Sequence, residues 1–497
     1  MPVRSARMIR AELKRLAQHS AIYGVADVIP YLINFSLLPI FTTYLSRIDY
    51  GALGILLLFG VTTKIFFRLG LDTGFFRIYY DQKTDRDRKV LATTLFLAAS
   101  GVSVTLFTLC ALAAGPIGTF LLGVDSTSPA QLATWVILVA GDTLLNTFAF
   151  VPMNLFRIQG RPAAFTVMTL IRSGVNIGLK LWLVVQGWGV SGVLWADVIA
   201  SCLFVLVLLP TLLRNLGWGV SRSMLREAVS FGFPKVPHAL AHQILNLSDR
   251  KLIEVFLSLA ATGLYHIGYM MGTGVKFFLA AFELAWGPWG YAQLSRSNAP
   301  ELLSRMSTYA CTTLLGFALL NAVFGRELLF LMAKPEFHEA HVIIPVIVLA
   351  YVLQGMFALT SIGIGISKKA FYYPILTISA ALTNVLLNIL WIPRYGILGA
   401  AWATVAGYGL MAVMGHRFGQ KHYPIPFEWG RMGRVFLAAG LAYGVSLAAP
   451  DDLLKAVALK CVAILIYPAA LLAFGFFRRD EIAWLKSVVG LDTSNGD

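Results

Sequence analysis

Lys64, Arg68 and Asp72 interrupt a run that is otherwise apolar from Tyr50 through Phe76. Each ionisable group near the middle of a bilayer costs roughly 2.5–3.5 kcal/mol on insertion scales, so such residues need a function or a counter-charge. On a helix these three stand at i, i+4 and i+8 and form one stripe. Arg172, Asn176 and Lys180 repeat that spacing. Lys235, His238, His242, Asn246 and Asp249 make a third stripe at steps of three and four, and Lys276 stands alone in a later apolar run. Lys and Arg beside Asn and His make a wet, positive, hydrogen-bonding lining, suited to an anion. For Arg68 and Asp72 a second reading stays open, an intrahelical pair that neutralises itself. Lys180 lies near a helix end, from which it could snorkel. His238 and His242 share a face, but two histidines without a third ligand make no metal site; polar lining or a proton-sensitive element suits them better.

The acidic residues within apolar runs are Asp27, Asp142, Asp197, Asp249 and Glu283. Carboxylates in a cavity could bind H⁺ or Na⁺ and couple its gradient to movement; otherwise they balance the basic residues. Asp27 is the leading coupling candidate, because it falls on the stripe Tyr23–Asp27–Tyr31–Asn34.

The elements that must hold these residues follow from composition. Of 497 residues 58% are apolar and 13% charged, with 33 Phe and 11 Trp, whereas a soluble domain averages about 45–50% apolar and about 25% charged. Apolar runs of about 20 residues, each long enough to cross the hydrocarbon layer as a helix, follow one another. Fourteen are expected, at 19–45, 50–77, 89–113, 130–156, 161–186, 190–213, 228–257, 260–290, 302–324, 339–366, 370–392, 396–416, 431–449 and 453–476. The runs do not alternate, which predicts an all-α polytopic membrane protein and not a barrel. Lys64 and Lys276 each lie 13 residues past a glycine near the start of their runs, Gly51 and Gly263, about 20 Å along a helix, too deep for easy escape to the interface.

Charge distribution orients the spans. With the N-terminus inside, inner segments carry Arg4, Arg7, Arg10, Lys83, Arg86, Arg88, Arg157, Arg161, Arg222, Arg226 and Arg478 among others. Outer loops hold only Arg47, Arg326, Lys334, Arg394 and Lys455, with Arg250 and Lys251 ambiguous. This is the positive-inside pattern with both termini in the cytoplasm. The net charge of +15 is dispersed and does not suggest nucleic acid. The four cysteines lie inside spans without CxxC spacing and read as small packing residues.

The chain also repeats itself. NIGLKLWLVVQGWGVSGVLWADVIA from Asn176 aligns, with one gap, on NVLLNILWIPRYGILGAAWATVAG from Asn384. Asn176 meets Asn384, Lys180 meets Asn388, Gly189 meets Gly396, Gly192 meets Gly399, and Trp195-Ala196 meets Trp402-Ala403. At a nearly equal offset, GALGILLLFGVTTKIFF from Gly51 overlies GLYHIGYMMGTGVKFF from Gly263, placing Lys64 on Lys276. A six-helix unit enters the membrane twice from the same side, so the halves relate by an axis along the membrane normal. The expected organisation is a basic N-terminal segment, 1–18; two lobes, 19–215 and 226–420; a further helix pair, 430–477; and a tail, 478–497.

Two six-helix lobes with an extra pair, a second helix reading YGALGILLLF…LGLDTGFFRIYYD, and the repeated N-x-x-x-[KN] and G-x-x-G-x-x-WA patterns resemble the Wzx-type oligosaccharide flippases. These belong to the multidrug/oligosaccharidyl-lipid/polysaccharide exporter superfamily. The resemblance implies a monomeric flippase that moves undecaprenyl-pyrophosphate-linked repeat units across the bacterial inner membrane by alternating access. It also implies polysaccharide polymerases and glycosyltransferases as neighbours, alongside membrane lipids. The basic stripes would face the pyrophosphate while the polyprenyl tail stays in lipid. No Walker A loop, HExxH or nucleophile flanked by a base is found, so no enzyme and no cofactor is expected, only H⁺ or Na⁺ coupling. A cation-coupled drug exporter of the same superfamily would need an acidic, aromatic cavity, and a membrane scaffold would leave the intramembrane charges unexplained. The outer loop EFHEAH, with its acids and histidines, is a candidate cation or sugar contact.

Overall fold

The computed structural model describes residues 29, 32–33, 35–123, 127–450, 452–478 and 481. Asp27, the segment 1–18 and nearly all of the tail lie outside these residues. Among the described residues every regular element is a helix. Helices at Arg47–Arg68, Asp85–Leu112, Pro162–Val185, Gly189–Asn215, Ala299–Met332 and Leu454–Ala473, and the helical segments Pro335–Ile366 and Tyr372–His422, are each long and apolar enough to cross a membrane; Tyr372–His422 is two helices joined at Gly396, whose backbone is not helical (φ 60°, ψ −143°). The thirteenth expected span is the helix Trp429–Ser446, the fourth, seventh and eighth are present as broken helices, and the first is described only from its later part. The fourth is Pro129–Phe148 followed by Phe150–Ile158, bent by 41°. The eighth divides into Leu259–Gly272 and Val275–Ala292, and the seventh into Arg222–Gly232 and Val236–Phe256 around one 3₁₀ turn, Phe233–Lys235. Apolar side chains such as Leu112, Leu206, Leu213 and Trp182 are turned outward, as lipid-facing surfaces require. The protein is a multi-pass membrane protein.

Local chemistry sets the helix starts. Ser46 and Asp49 form a reciprocal capping box, Thr84, Ser128, Ser221 and Asp452 cap their helices, and Pro129 and Pro162 occupy first-turn positions that lose no hydrogen bond.

The chain forms two compact units. One comprises the described residues up to Gly268 with Leu329–Ala340 and Tyr373–Gly407; the other holds Tyr269–Leu328, His341–Tyr372 and the residues from Tyr408. Compactness thus divides the chain differently from its internal repeat. In the first unit, Ile55, Leu56, Trp135, Val136 and Leu194 make one buried cluster and Phe75, Ile78, Leu91, Leu95, Phe150 and Val151 another. The Trp135 indole donates to Ser191 Oγ at 2.8 Å. The EFHEAH segment packs on the start of the 47–68 helix: Phe337 meets Tyr50 edge-on at 5.4 Å, and Glu339 lies 3.6 Å from Arg47.

In the second unit the helices Trp429–Ser446 and Leu453–Ala473 pack on one another. The latter is tied to 299–332 by the buried Lys460–Glu327 pair at 2.6 Å and by Tyr467 donating to the Thr312 carbonyl at 2.8 Å. Arg431 donates to Glu428 at 2.9 Å and to Glu481 at 2.8 Å. Burial opposes ionisation of the Glu481 carboxyl, but hydrogen bonds from Tyr309 and the Arg478 N–H, with the Arg431 charge, hold it below its usual range.

The repeat is visible in the packing of the first unit. A Cβ on Gly51 would stand 2.0 Å from the Leu259 carbonyl oxygen, and one on Gly263 would stand 1.8 Å from that of Arg47. The offset that sets Gly51 over Gly263 also sets Arg47 over Leu259, so the two contacts are images of each other. Such reciprocity is what a twofold relation produces. A second pair agrees: the aligned Gly189 and Gly396 both have positive φ, 53° and 60°, where a side chain is strained.

In lipid, helix association relies on close packing, so a methyl forced into this crossing has no compensation. Gly51→Ala and Gly263→Ala should each destabilise the protein, by about 1–3 kcal/mol, and to a similar extent. Gly178→Ala, where an added Cβ has no neighbour within 4 Å, should be neutral or slightly stabilising. Thermal unfolding in detergent measures all three; wild-type stability for both crossing variants would remove the reciprocal contact.

Candidate functional site

The expected continuous stripe at positions 64, 68 and 72 is corrected by the backbone. The helix stops at Arg68, Leu69 and Gly70 adopt left-handed conformations (φ 45° and 76°), and a new helix runs Leu71–Tyr79. Periodicity gives no sign of this, because Leu69 is a residue that rarely takes positive φ. Arg68 nevertheless reaches across the break to Asp72 at 3.2 Å. Its other terminal nitrogen donates to the Asn146 carbonyl at 2.8 Å, and Asn154 donates to Asp72 at 3.3 Å.

A cavity of about 700 Å³ opens here within the first unit. Its polar lining includes Lys64, Arg68, Asp72, Asn146, Asn154, Arg157, Arg172, Asn176 and Asp197, so Lys and Arg outnumber carboxylates among its walls. A second cavity of about 450 Å³ shares Lys64, Arg172 and Asp197 and adds Asp142 and Lys180. A third, of about 310 Å³, brings Lys235 beside Lys64, Arg68 and Asp72. Two sequence stripes, and Lys235 from the third, therefore converge around Lys64.

The deeper wall is a hydrogen-bonded chain. Arg172 donates to Ser201 Oγ at 3.0 Å, and Ser201 donates to Asp142. Asn146 donates to the same carboxylate at 3.0 Å. Asp197 accepts from Asn176 at 2.8 Å and pairs with Lys180 at 2.8 Å. The aligned residues of the second repeat keep one of these contacts without the charge: Asn384 donates to Thr404 at 3.4 Å, whereas Asn388 donates to Asn384 at 3.0 Å and not to Thr404. Lys64 differs from all of these. It is exposed to the cavities, and it makes no hydrogen bond or ion pair among the described residues.

The other expected residues lie elsewhere. His238 and His242 line none of these three cavities; His242 is 3.2 Å from the Asn246 amide through Nδ1. Asp249 is buried with Arg250 at 2.6 Å and accepts from Tyr265 at 2.6 Å. Lys276 and Glu283 belong to the second unit, where the Lys276 ammonium stands 4.7 Å from the centre of the Tyr351 ring.

Sequence reasoning missed Asn146, Asn154, Ser201 and Arg157. Asp142 and Asn146 share a helix face, but the bend at Ala149 removes Asn154 from that periodicity. Arg157 reads as a loop charge because it ends a span.

Comparison with known proteins follows this geometry. Residues 40–281 match a family model described as polysaccharide biosynthesis protein. The chain is 22% identical, over 257 residues, to the probable low-salt glycan biosynthesis flippase Agl15 of Haloferax volcanii; the match covers 48% of this chain and 53% of that protein. The chain thus spans about half the length of this curated relative. The lipid II flippase MurJ in an inward closed conformation superposes with a TM-score of 0.73 at 14% identity, covering 91% of this chain and 98% of that one. An inward-facing multidrug resistance MATE family transporter of the MOP superfamily gives 0.64 at 17% identity, covering 81% and 97%. The fold is that of these transporters, in agreement with the resemblance carried by the second, fifth, sixth, eleventh and twelfth segments.

Pairing separates structural from unengaged charge. Arg68→Ala removes the cation beside Asp72 and a donor to the Asn146 carbonyl and should cost about 1–3 kcal/mol, whereas Lys64→Ala breaks no hydrogen bond or ion pair among the described residues and should stay within about 0.5 kcal/mol of wild type. Thermal unfolding of the purified variants compares them; equal losses would contradict the assignment of Lys64 as unpaired.

Proposed function

We propose that the protein is a flippase for a lipid-linked oligosaccharide, undecaprenyl-pyrophosphate-linked, in the inner membrane of a bacterium. The observation that carries this reading is Lys64, an unpaired ammonium facing three cavities within apolar helices. A pyrophosphate diester is a hydrated dianion whose tail is as apolar as the bilayer. The basic cavity receives the head, exchanging water for charge-assisted hydrogen bonds, and the tail remains among the lipid-facing helices. The family match and the named flippases among the similar proteins support the same class of cargo.

Transport proceeds by alternating access, with inner helix ends and both termini in the cytoplasm. Asp142 and Asp197 stand beside the cationic wall, and H⁺ or Na⁺ exchange at these carboxylates is the proposed coupling. A cationic drug, the cargo class of a multidrug exporter, would meet Lys64, Arg68 and Arg172 and be repelled.

The test is translocation of a fluorescent lipid-linked oligosaccharide in proteoliposomes. Lys64→Ala and Lys64→Gln should slow translocation at least tenfold, the worth of about one charge-assisted hydrogen bond, at equal reconstituted amounts. Undiminished translocation in both would sink the assignment of Lys64, and failure of wild type to move the lipid would sink the flippase reading.

A further inference from the structure

Arg157 ends the Phe150–Ile158 helix and lines the largest of the three cavities. Its guanidinium carbon stands 5.0 Å from the centre of the Phe76 ring and 5.7 Å from that of Phe165. The side chain is exposed, and its guanidinium makes no hydrogen bond or ion pair among the described residues. Two rings, and no carboxylate among the described residues, hold this cation. Contact with aromatic faces retains a guanidinium while leaving its in-plane N–H donors unspent. An Arg presented this way is matched to the fork of a phosphate oxyanion.

Its position adds a second argument. Arg68 touches Asn146 and Asp72 touches Asn154, so the two chain segments advance side by side in the same direction. Lys64 lies one turn before Arg68, and Arg157 lies eleven residues after Asn146. Phe76 against Arg157 continues this order of contacts, so the two unpaired cations of the cavity stand on opposite sides of the Arg68–Asp72 pair.

We propose that Arg157 is the entry residue of the cavity, taking the phosphate oxyanion of the lipid-linked substrate at the mouth before the head moves inward to Lys64. The assignment rests on the flippase reading and divides that site into a capture position and a deep position. An anionic phospholipid headgroup carries the same chemistry, so the source of the oxyanion is part of the test.

The full-length protein is reconstituted in phosphatidylcholine vesicles, with and without phosphatidylglycerol, and assayed with a short-chain polyprenyl-pyrophosphate-linked fluorescent glycan. Arg157→Gln should raise the half-saturating concentration about tenfold with a much smaller change in maximal rate, whereas Lys64→Gln should mainly lower the maximal rate. Arg157→Lys should recover only part of the loss, because an ammonium lacks the planar fork. Phe76→Leu, which keeps the charge and removes a platform, should raise half-saturation severalfold. Half-saturation unchanged in Arg157→Gln, or wholly restored by Arg157→Lys as a mere topology charge would be, overturns the entry role while leaving the flippase reading intact. A wild type that neither binds nor moves the glycan overturns both. If only phosphatidylglycerol separates wild type from Arg157→Gln, the position holds phospholipid, and the substrate assignment falls.

Discussion

A charge drawn into hydrocarbon must bring water, a counter-ion or a hydrogen-bond partner with it. The placement of ionisable residues in this protein follows that constraint. Asp249 and Arg250 are buried together beneath Tyr265. Lys460 and Glu327 join two helices of the second unit. Arg68 holds Asp72 across a helix break, and Lys180 holds Asp197. Against this background of paired charge, Lys64 and Arg157 stand out. Both line a cavity, an environment in which water can solvate an unpaired cation.

Duplication explains why the cationic wall is asymmetric. At aligned positions the first copy has Asn176, Lys180 and Asp197, and the second has Asn384, Asn388 and Thr404, with the same amide donation retained in each. An amide-to-oxygen bond can hold two helices together whether its acceptor is a carboxylate or a hydroxyl, so structure persists through the substitution. The charge does not persist. A change of charge in one copy therefore requires no change in the fold.

Backbone shape matters as much as side-chain charge. The turn at Leu69–Gly70 and the bend after Phe148 place Asp72 beside Asn154 and carry Arg157 back to the cavity. Broken helices expose polar atoms, and in a membrane they survive where protein partners or a wet cavity receive those atoms. The breaks therefore belong to the site. The reciprocal glycine crossing of 47–68 with 259–272 has the opposite character: a close, dry contact repeated about a local twofold relation.

The amino-acid sequence by itself determined the helical membrane class, the positions of most spans, the recurrence of its segments and the presence of Lys64, Arg68 and Arg172 within apolar helices. These are one-dimensional consequences of hydropathy, helical period and recurrence. It did not determine the break at residue 69, because Leu there follows no turn rule, and it placed Arg157 among loop charges because its helix bends. Nor could it separate Arg68, which is paired, from Lys64, which is not; both are basic residues one turn apart. Only the tertiary structure decided those points, because pairing and cavity access depend on which distant segments meet: Asn146 with Arg68, Asn154 with Asp72, and Phe76 and Phe165 with Arg157.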